Sequence, residues 1–261
     1  MADFVRVPET DWQNILDATR EKTGGTEKML SGEVATAIAG IEAGGGGDTT
    51  EEDGLVARTL TEYVNNRVTQ VGSQVFRDYK TLTSVTMEKC TKIEADAFNG
   101  CTNLSSVYFP NVTYLATRAF ASSGLTEVTE ENLPKLNVLI QCFNNCASLK
   151  KIVIPSVETV SNSQTGCTSL EYAEYANAKA INASSFNGCS VFDTLVLRKN
   201  ALATLANINA FTGTPFASGG TGGTVYVPQA LISQYQQATN WSTLYAAGTC
   251  NFVAIEGSEY E

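Results

Sequence analysis

The chain has 261 residues, of which 43% are hydrophobic and only 17% charged, so it can bury a sizeable core beneath a surface rich in neutral polar groups. Its formal net charge of -10, with no cluster of Lys and Arg, argues against nucleic-acid partners and anionic membranes, both of which attract basic surfaces. It contains no histidine, the commonest general base and metal ligand, and no apolar run of membrane-spanning length, so neither a cofactor nor membrane insertion is expected.

The first residues, MADFVRVPETDWQN, carry acid and lack an apolar stretch, so they do not read as a secretory signal. Thr10 and Gln13 have capping-box spacing, and Trp12, Ile15, Leu16 and Thr19 follow at helical spacing until Gly24-Gly25. A second amphipathic stretch carries Leu30, Val34, Ile38 and Ile41. Residues 1–43 therefore read as a small helical hairpin, and 44–53 as a Gly-rich linker leading into a helix start capped by Asp48-Thr-Thr-Glu51. The string from Asp17 to Thr26, followed by Ala37-Ile38-Ala-Gly-Ile41, resembles a module in tail-associated proteins of phages and prophages of gut Gram-positive bacteria. That resemblance implies attachment to a virion or partner subunit. Read from its residues alone, the hairpin could equally be a cap packed on the first repeat of the main domain.

From residue 54 the chain repeats with a period near 22 residues. One apolar column runs Leu60, Leu82, Leu104, Leu125, Leu149, Leu170, Phe192, and a second lies three residues on at Tyr63, Val85, Val107, Val128, Ile152, Ala173, Leu195. A third takes Val71, Ile93, Leu115, Val138, Val160, Ile181, and a fourth Phe76, Phe98, Phe120, Phe143, Thr165, Phe186. A unit this short cannot bury its own apolar face, so the units must stack. The fullest copy runs from Ile93 through Ala97-Phe98, Cys101, Leu104 and Val107 to Phe109-Pro110, and it recurs around Phe143 and Phe186. It resembles the BspA-like leucine-rich repeats over residues 54–224, with Ser123 in place of the cysteine and Gln164-Thr165 in place of Ala-Phe.

The expected fold is an α/β repeat solenoid with a parallel lateral sheet. Leu104, Val107 and Phe109 point inward, Pro110 ends the strand, and Asn-Gly at 99–100 and 187–188 turns left-handed corners. Residues 225–261 form a C-terminal cap: a strand Val225-Tyr-Val stopped by Pro228, a helix marked by Leu231, Tyr235 and Ala238, the anchor Trp241, a strand Phe252–Ile255, and a solvated acidic tail from Glu256 to Glu261.

Reactive-looking residues read mostly as structure. Cys101, Cys146, Cys167 and Cys189 share one repeat position, the pattern of a buried thiol column rather than of zinc ligands, and their parallel side chains suit disulfides poorly. Glu51-Glu52-Asp53 and Glu130-Glu131 do not face each other across a cleft as glycosidase carboxylates must. Gly219-Gly220-Thr-Gly222-Gly223 lacks the strand, helix and Lys of a phosphate loop and reads as a flexible loop.

The remaining candidate is the outward face of the lateral sheet, a polar strip with interspersed tyrosine. Tyr108, Tyr172 and Glu174 lead the candidates, with Ser106, Lys151 and Thr129 beside them. The sequence thus points to a non-enzymatic binding protein without cofactor or metal. Its first reading is a phage or prophage tail-associated protein, of tail-fibre kind, contacting a cell-surface protein or glycan. It would be made in the bacterial cytoplasm and act on a virion or extracellular surface. The alternatives are a bacterial surface adhesin or protein-interaction module with no virion role and, more remotely, a glycan-active enzyme.

Overall fold

The computed structural model describes residues 58–261; the helical hairpin (1–43), the linker and helix start (44–53) and residues 54–57 lie outside the described residues. The described chain winds as a solenoid with one line of short parallel strands on each of two faces. The first face carries β1 (Glu62–Val64), β3 (Ser84–Thr86), β5 (Ser106–Tyr108), β7 (Glu127–Val128), β9 (Lys151–Val153), β11 (Tyr172–Glu174) and β13 (Thr194–Val196). The second face carries β2 (Gln70–Val71), β4 (Lys92–Ile93), β6 (Tyr114–Leu115), β8 (Val138–Ile140), β10 (Thr159–Ser161), β12 (Ala180–Ile181) and β14 (Thr204–Leu205). Each strand is short because only one of its residues must point into the core before the chain turns.

The apolar columns form that core. Tyr63, Val85, Val107, Val128, Ile152, Ala173 and Leu195 are all buried, as are Leu82, Leu104, Leu125, Leu149, Leu170 and Phe192. Phe76, Phe98, Phe120 and Phe143 stack with ring centroids 4.9, 5.0 and 5.8 Å apart. Each such pair contributes about 0.5–1.5 kcal/mol beyond its buried area.

Two columns are corrected by one register position each. Val160 pairs with Leu139, not Val138, because the intervening turn is longer. The residue in the phenylalanine column of the fifth unit is Gln164, not Thr165. Backbone amides of Phe120, Phe143, Gln164 and Phe186 donate in turn to Cys142, Ser163, Ser185 and Ala210. Gln164 is fully buried, and both of its amide atoms lack a hydrogen-bond partner. The same holds for the hydroxyl of fully buried Tyr175.

The corners are left-handed at two positions per turn. One column is Gln74, Asp96, Arg118, Gln141, Asn162 and Ser184; the other includes Asp78, Gly100, Ser122, Asn145, Gly166 and Gly188. Most of these are not glycine, and the strain is offset by the backbone hydrogen bonds between successive turns. Gly100 has a second reason: a Cβ there would lie 2.3 Å from Asp78 Oδ1.

The expected continuous lateral sheet is interrupted. β1, β3 and β5 form one three-stranded sheet, while β7, β9, β11 and β13 continue into a six-stranded one; the second face breaks at the same turn. The cause is an insertion: Val128 to Leu133 spans five positions where Val107 to Phe109 spans two. Asn132 fills the breach. Its carbonyl accepts from Phe109 N (2.9 Å) and its side chain donates to Val107 O (3.0 Å).

The six-stranded sheet is completed by β15 (Gly223–Val227) and β16 (Cys250–Ala254), paired in parallel in the order β13-β15-β16. Between them lie a 3-10 turn (Gln229–Leu231) and two helices, α1 (Ile232–Gln237) and α2 (Trp241–Ala246). These are the α-helices among the described residues, so the solenoid itself is built of strands and turns. Trp241 is fully buried and donates from Nε1 to Ala203 O (2.8 Å), closing the open end of the core. Pro228 ends β15 and caps the 3-10 turn. The glycine loop before β15 is exposed at 218–221, whereas Gly223, the first residue of β15, is packed: a Cβ there would lie 2.4 Å from the Phe216 ring.

Candidate binding surface

The strand alternation places two outward columns on the six-stranded sheet. Register aligns Glu127, Lys151, Tyr172, Thr194, Thr224 and Asn251 in one, and Val153, Glu174, Val196, Tyr226 and Val253 in the other. Their middle members form a cluster. The Lys151 ammonium lies over the Tyr172 ring, 5.5 Å from its centroid. The Tyr172 hydroxyl donates to Glu174 Oε2 (2.5 Å), and Arg198 Nε donates to Glu174 Oε1. Glu174 keeps only 13% of its side-chain exposure, so this carboxylate is held by two donors in a mostly dehydrated place. Burial, then the neighbouring Glu174 carboxylate, push the Tyr172 hydroxyl well above the ordinary tyrosine range, so it stays protonated and donating. The hydrogen bond to Glu174 raises the Arg198 guanidinium further.

The segment after β16 keeps its acidic side chains exposed, as expected, but it is folded back on the sheet. Gly257 turns left-handed (φ 79°), and Ser258 Oγ donates to Ile255 O (2.7 Å) while accepting from Tyr260 N (3.1 Å). Glu256 accepts from Gln229 N (2.9 Å), and Glu261 Oε2 accepts from Gly257 N (3.0 Å). The chain thereby folds back and lays the Tyr260 ring against Tyr172 (5.4 Å) and edge-on to Tyr226 (4.5 Å). Tyrosine is amphipathic, and its apolar body outweighs the acidity of its neighbours. Val196, flanked by Glu174 and Tyr226, faces outward yet is fully buried.

The sequence candidates are therefore divided. Lys151, Tyr172 and Glu174 come together. Ser106 and Tyr108 lie on β5 in the separate three-stranded sheet, both exposed, with Tyr108 paired in register to Thr86. Thr129 falls in the insertion, where its hydroxyl donates to Asn132 Oδ1 (2.9 Å) and serves the turn. Arg198, Tyr226 and Tyr260 were missed. Tyr226 was legible as the outward residue of the Val-Tyr-Val strand, whereas no local signal marked the fold-back of Tyr260.

The thiols lie away from this face. All seven are free and buried. The Sγ atoms of Cys101, Cys146, Cys167 and Cys189 donate to the carbonyls of Phe76, Phe120, Phe143 and Gln164 at 2.8–3.1 Å. Ser123 keeps its place in this column, 3.3 Å from the Cys146 sulfur. Among the described residues no three Cys, Asp or Glu side chains converge as metal ligands, and Glu130 and Glu131 are exposed. A cleft of about 340 Å3 between Leu202–Leu205 and Gln237–Trp241 has no ionisable lining residue. No described helix is long and apolar enough to cross a membrane.

Comparison with known proteins agrees with this architecture. Six copies of the BspA type leucine-rich repeat region match residues 61–135 and 135–218. The chain belongs to that repeat family. Among solved structures, a leucine-rich repeat protein from Bacteroides ovatus superposes with a TM-score of 0.55 at 22% identity, over 67% of this chain and 45% of that one. The chain thus spans less than half the length of that relative, and the likeness is one of fold. Another, from Eubacterium ventriosum, is 17% identical with a TM-score of 0.40, over 60% of this chain and 43% of that one. No curated protein matches the chain. Leucine-rich repeat domains suit protein–protein binding, since stacked units present a broad regular face.

Proposed function

We propose that this protein is a non-enzymatic binding protein whose recognition surface is the outward face of the six-stranded sheet. The observation that carries this reading is the cluster of Lys151, Tyr172, Glu174 and Tyr226 on neighbouring strands, with Arg198 just beyond one of them. Tyrosine and arginine anchors fixed by neighbours lose little entropy on binding, which suits recognition of a cell-surface protein or glycan.

The finer reading is a phage or prophage tail-associated protein held to the virion through residues 1–43. It rests on the resemblance of that segment alone, and the chain would then act at a virion or extracellular surface. Labelled full-length chain, incubated with gut Gram-positive cells, is expected to bind at least one strain and to lose that binding on Lys151→Ala/Tyr226→Ala substitution. Binding that the folded double variant retains in full would remove this face from the function. Mass spectrometry of purified virions tests the attachment reading, which fails if the chain is absent from them.

A further inference from the structure

Segment 256–261 sits on the proposed recognition face as a ligand would. It lays one aromatic side chain against both Tyr172 and Tyr226, on the sheet where register sets fully buried Val196 between Glu174 and Tyr226. Its own turn hydrogen bonds shape it independently of the sheet: Ser258 to Ile255, Tyr260 to Ser258, and Gly257 to Glu261. The contact with the sheet strands is thus made largely by one ring. The residues beside that ring, Glu259 and Glu261, are exposed, and the Lys151 ammonium lies on the Tyr172 ring that receives Tyr260.

We infer that Tyr172, Val196 and Tyr226 form a slot for a tyrosine flanked by acidic residues, and that residues 256–261 are its built-in occupant, which an acidic, tyrosine-bearing peptide segment of a partner displaces. This deepens the binding reading above and rests on it, because it names the partner chemistry for the same face. The physical consequence is competition. A tethered occupant acts at an effective concentration in the millimolar range, and the slot is available only for the fraction of time that the segment is lifted. Affinity for an external peptide is lowered by that fraction.

The experiment uses a labelled synthetic peptide of residues 255–261, Ile-Glu-Gly-Ser-Glu-Tyr-Glu, and fluorescence anisotropy. The proteins are the full-length chain, Tyr260→Ala, and a variant lacking residues 256–261. Both opened variants are expected to bind the peptide ~3- to 5-fold more tightly than the full-length chain. A further Tyr226→Ala change, or Ala in place of tyrosine in the peptide, should abolish that binding. Tyr260→Ala keeps the turn and serves if the deletion does not fold. Peptide binding that is absent from a folded opened variant, or equal in the full-length chain, would overturn the inference. Cell binding that survives in such a chain would leave the broader reading standing, so the two failures can be told apart.

Discussion

The turns from β1 to β6 and those from β7 onward share one interior and differ outside. In both, the same columns of Leu, Val and Phe fill the core and thiols or hydroxyls close onto carbonyls of the turn before. On the outside, the first sheet leaves Val64 and Tyr108 in solvent, whereas the second gathers Lys151, Tyr172, Glu174, Arg198 and Tyr226 and is roofed by Tyr260. The interior is dictated by the repeat, because every unit must present the same shape to its neighbours. The exterior is free to vary, so recognition belongs where outward residues converge rather than where the repeat is most regular.

The largest expected effect breaks the shared interior. Phe98→Ala, in the regular half, should cost about 3–5 kcal/mol in denaturant unfolding, since it empties a ring stacked on both sides. In the second half the same column holds Gln164, whose two amide atoms are buried and unpartnered. Gln164→Leu should therefore stabilise the protein, by about 1–2 kcal/mol, by removing that desolvation penalty. Destabilisation by Gln164→Leu would mean that the column is not one apolar stack.

Next comes an ion pair of the first half. Asp96 is nearly buried, is bound by Arg118 through two hydrogen bonds of 2.9 Å, and accepts from Asn99. Burial alone would raise its carboxyl, but the Arg118 and Asn99 hydrogen bonds outweigh burial and hold it below the ordinary range. Such a group adds stability above its unfolded value, near ~3.9, which is lost as pH falls through the lower folded value. Arg118→Ala should lower stability measurably at neutral pH, and the gap to wild type should narrow in acid below about pH 4.

Smaller effects sharpen the contrast. Tyr260→Ala should cost no more than about 1 kcal/mol, as its ring is only half-buried, while exposing Tyr172 and Tyr226 to solvent quenchers. The seven thiols, by contrast, should show no reaction with a thiol reagent at pH 8 in either half until the chain unfolds. Burial pushes Cys90 to about 11 and Cys101, Cys142 and Cys250 to about 12.

The solenoid was legible in sequence because stacking forces periodicity onto buried positions. The inward columns and the thiol column can be read directly, and the errors at Val138 and Thr165 arise where turn length changes. What escaped was everything that breaks the repeat. The insertion at Asn132 divides the sheet and parts Tyr108 from Tyr172, yet the period alone puts the two on one continuous strip. Tyr260 was hidden for another reason: its contacts lie 34 and 88 positions away, beyond any local pattern. Lys151, Tyr172 and Glu174 could be picked because strand alternation turns them outward. Arg198 could not, since it lies beyond the strand that alternation describes.

The most direct test compares the two faces in one assay: binding of labelled full-length chain to a responsive bacterial strain, beside Tyr108→Ala and Tyr172→Ala/Tyr226→Ala. Tyr108→Ala is expected to bind as wild type does, and the double variant to fall at least ~10-fold. Loss with Tyr108→Ala and retention with the folded double variant would contradict the account and move recognition to the first sheet.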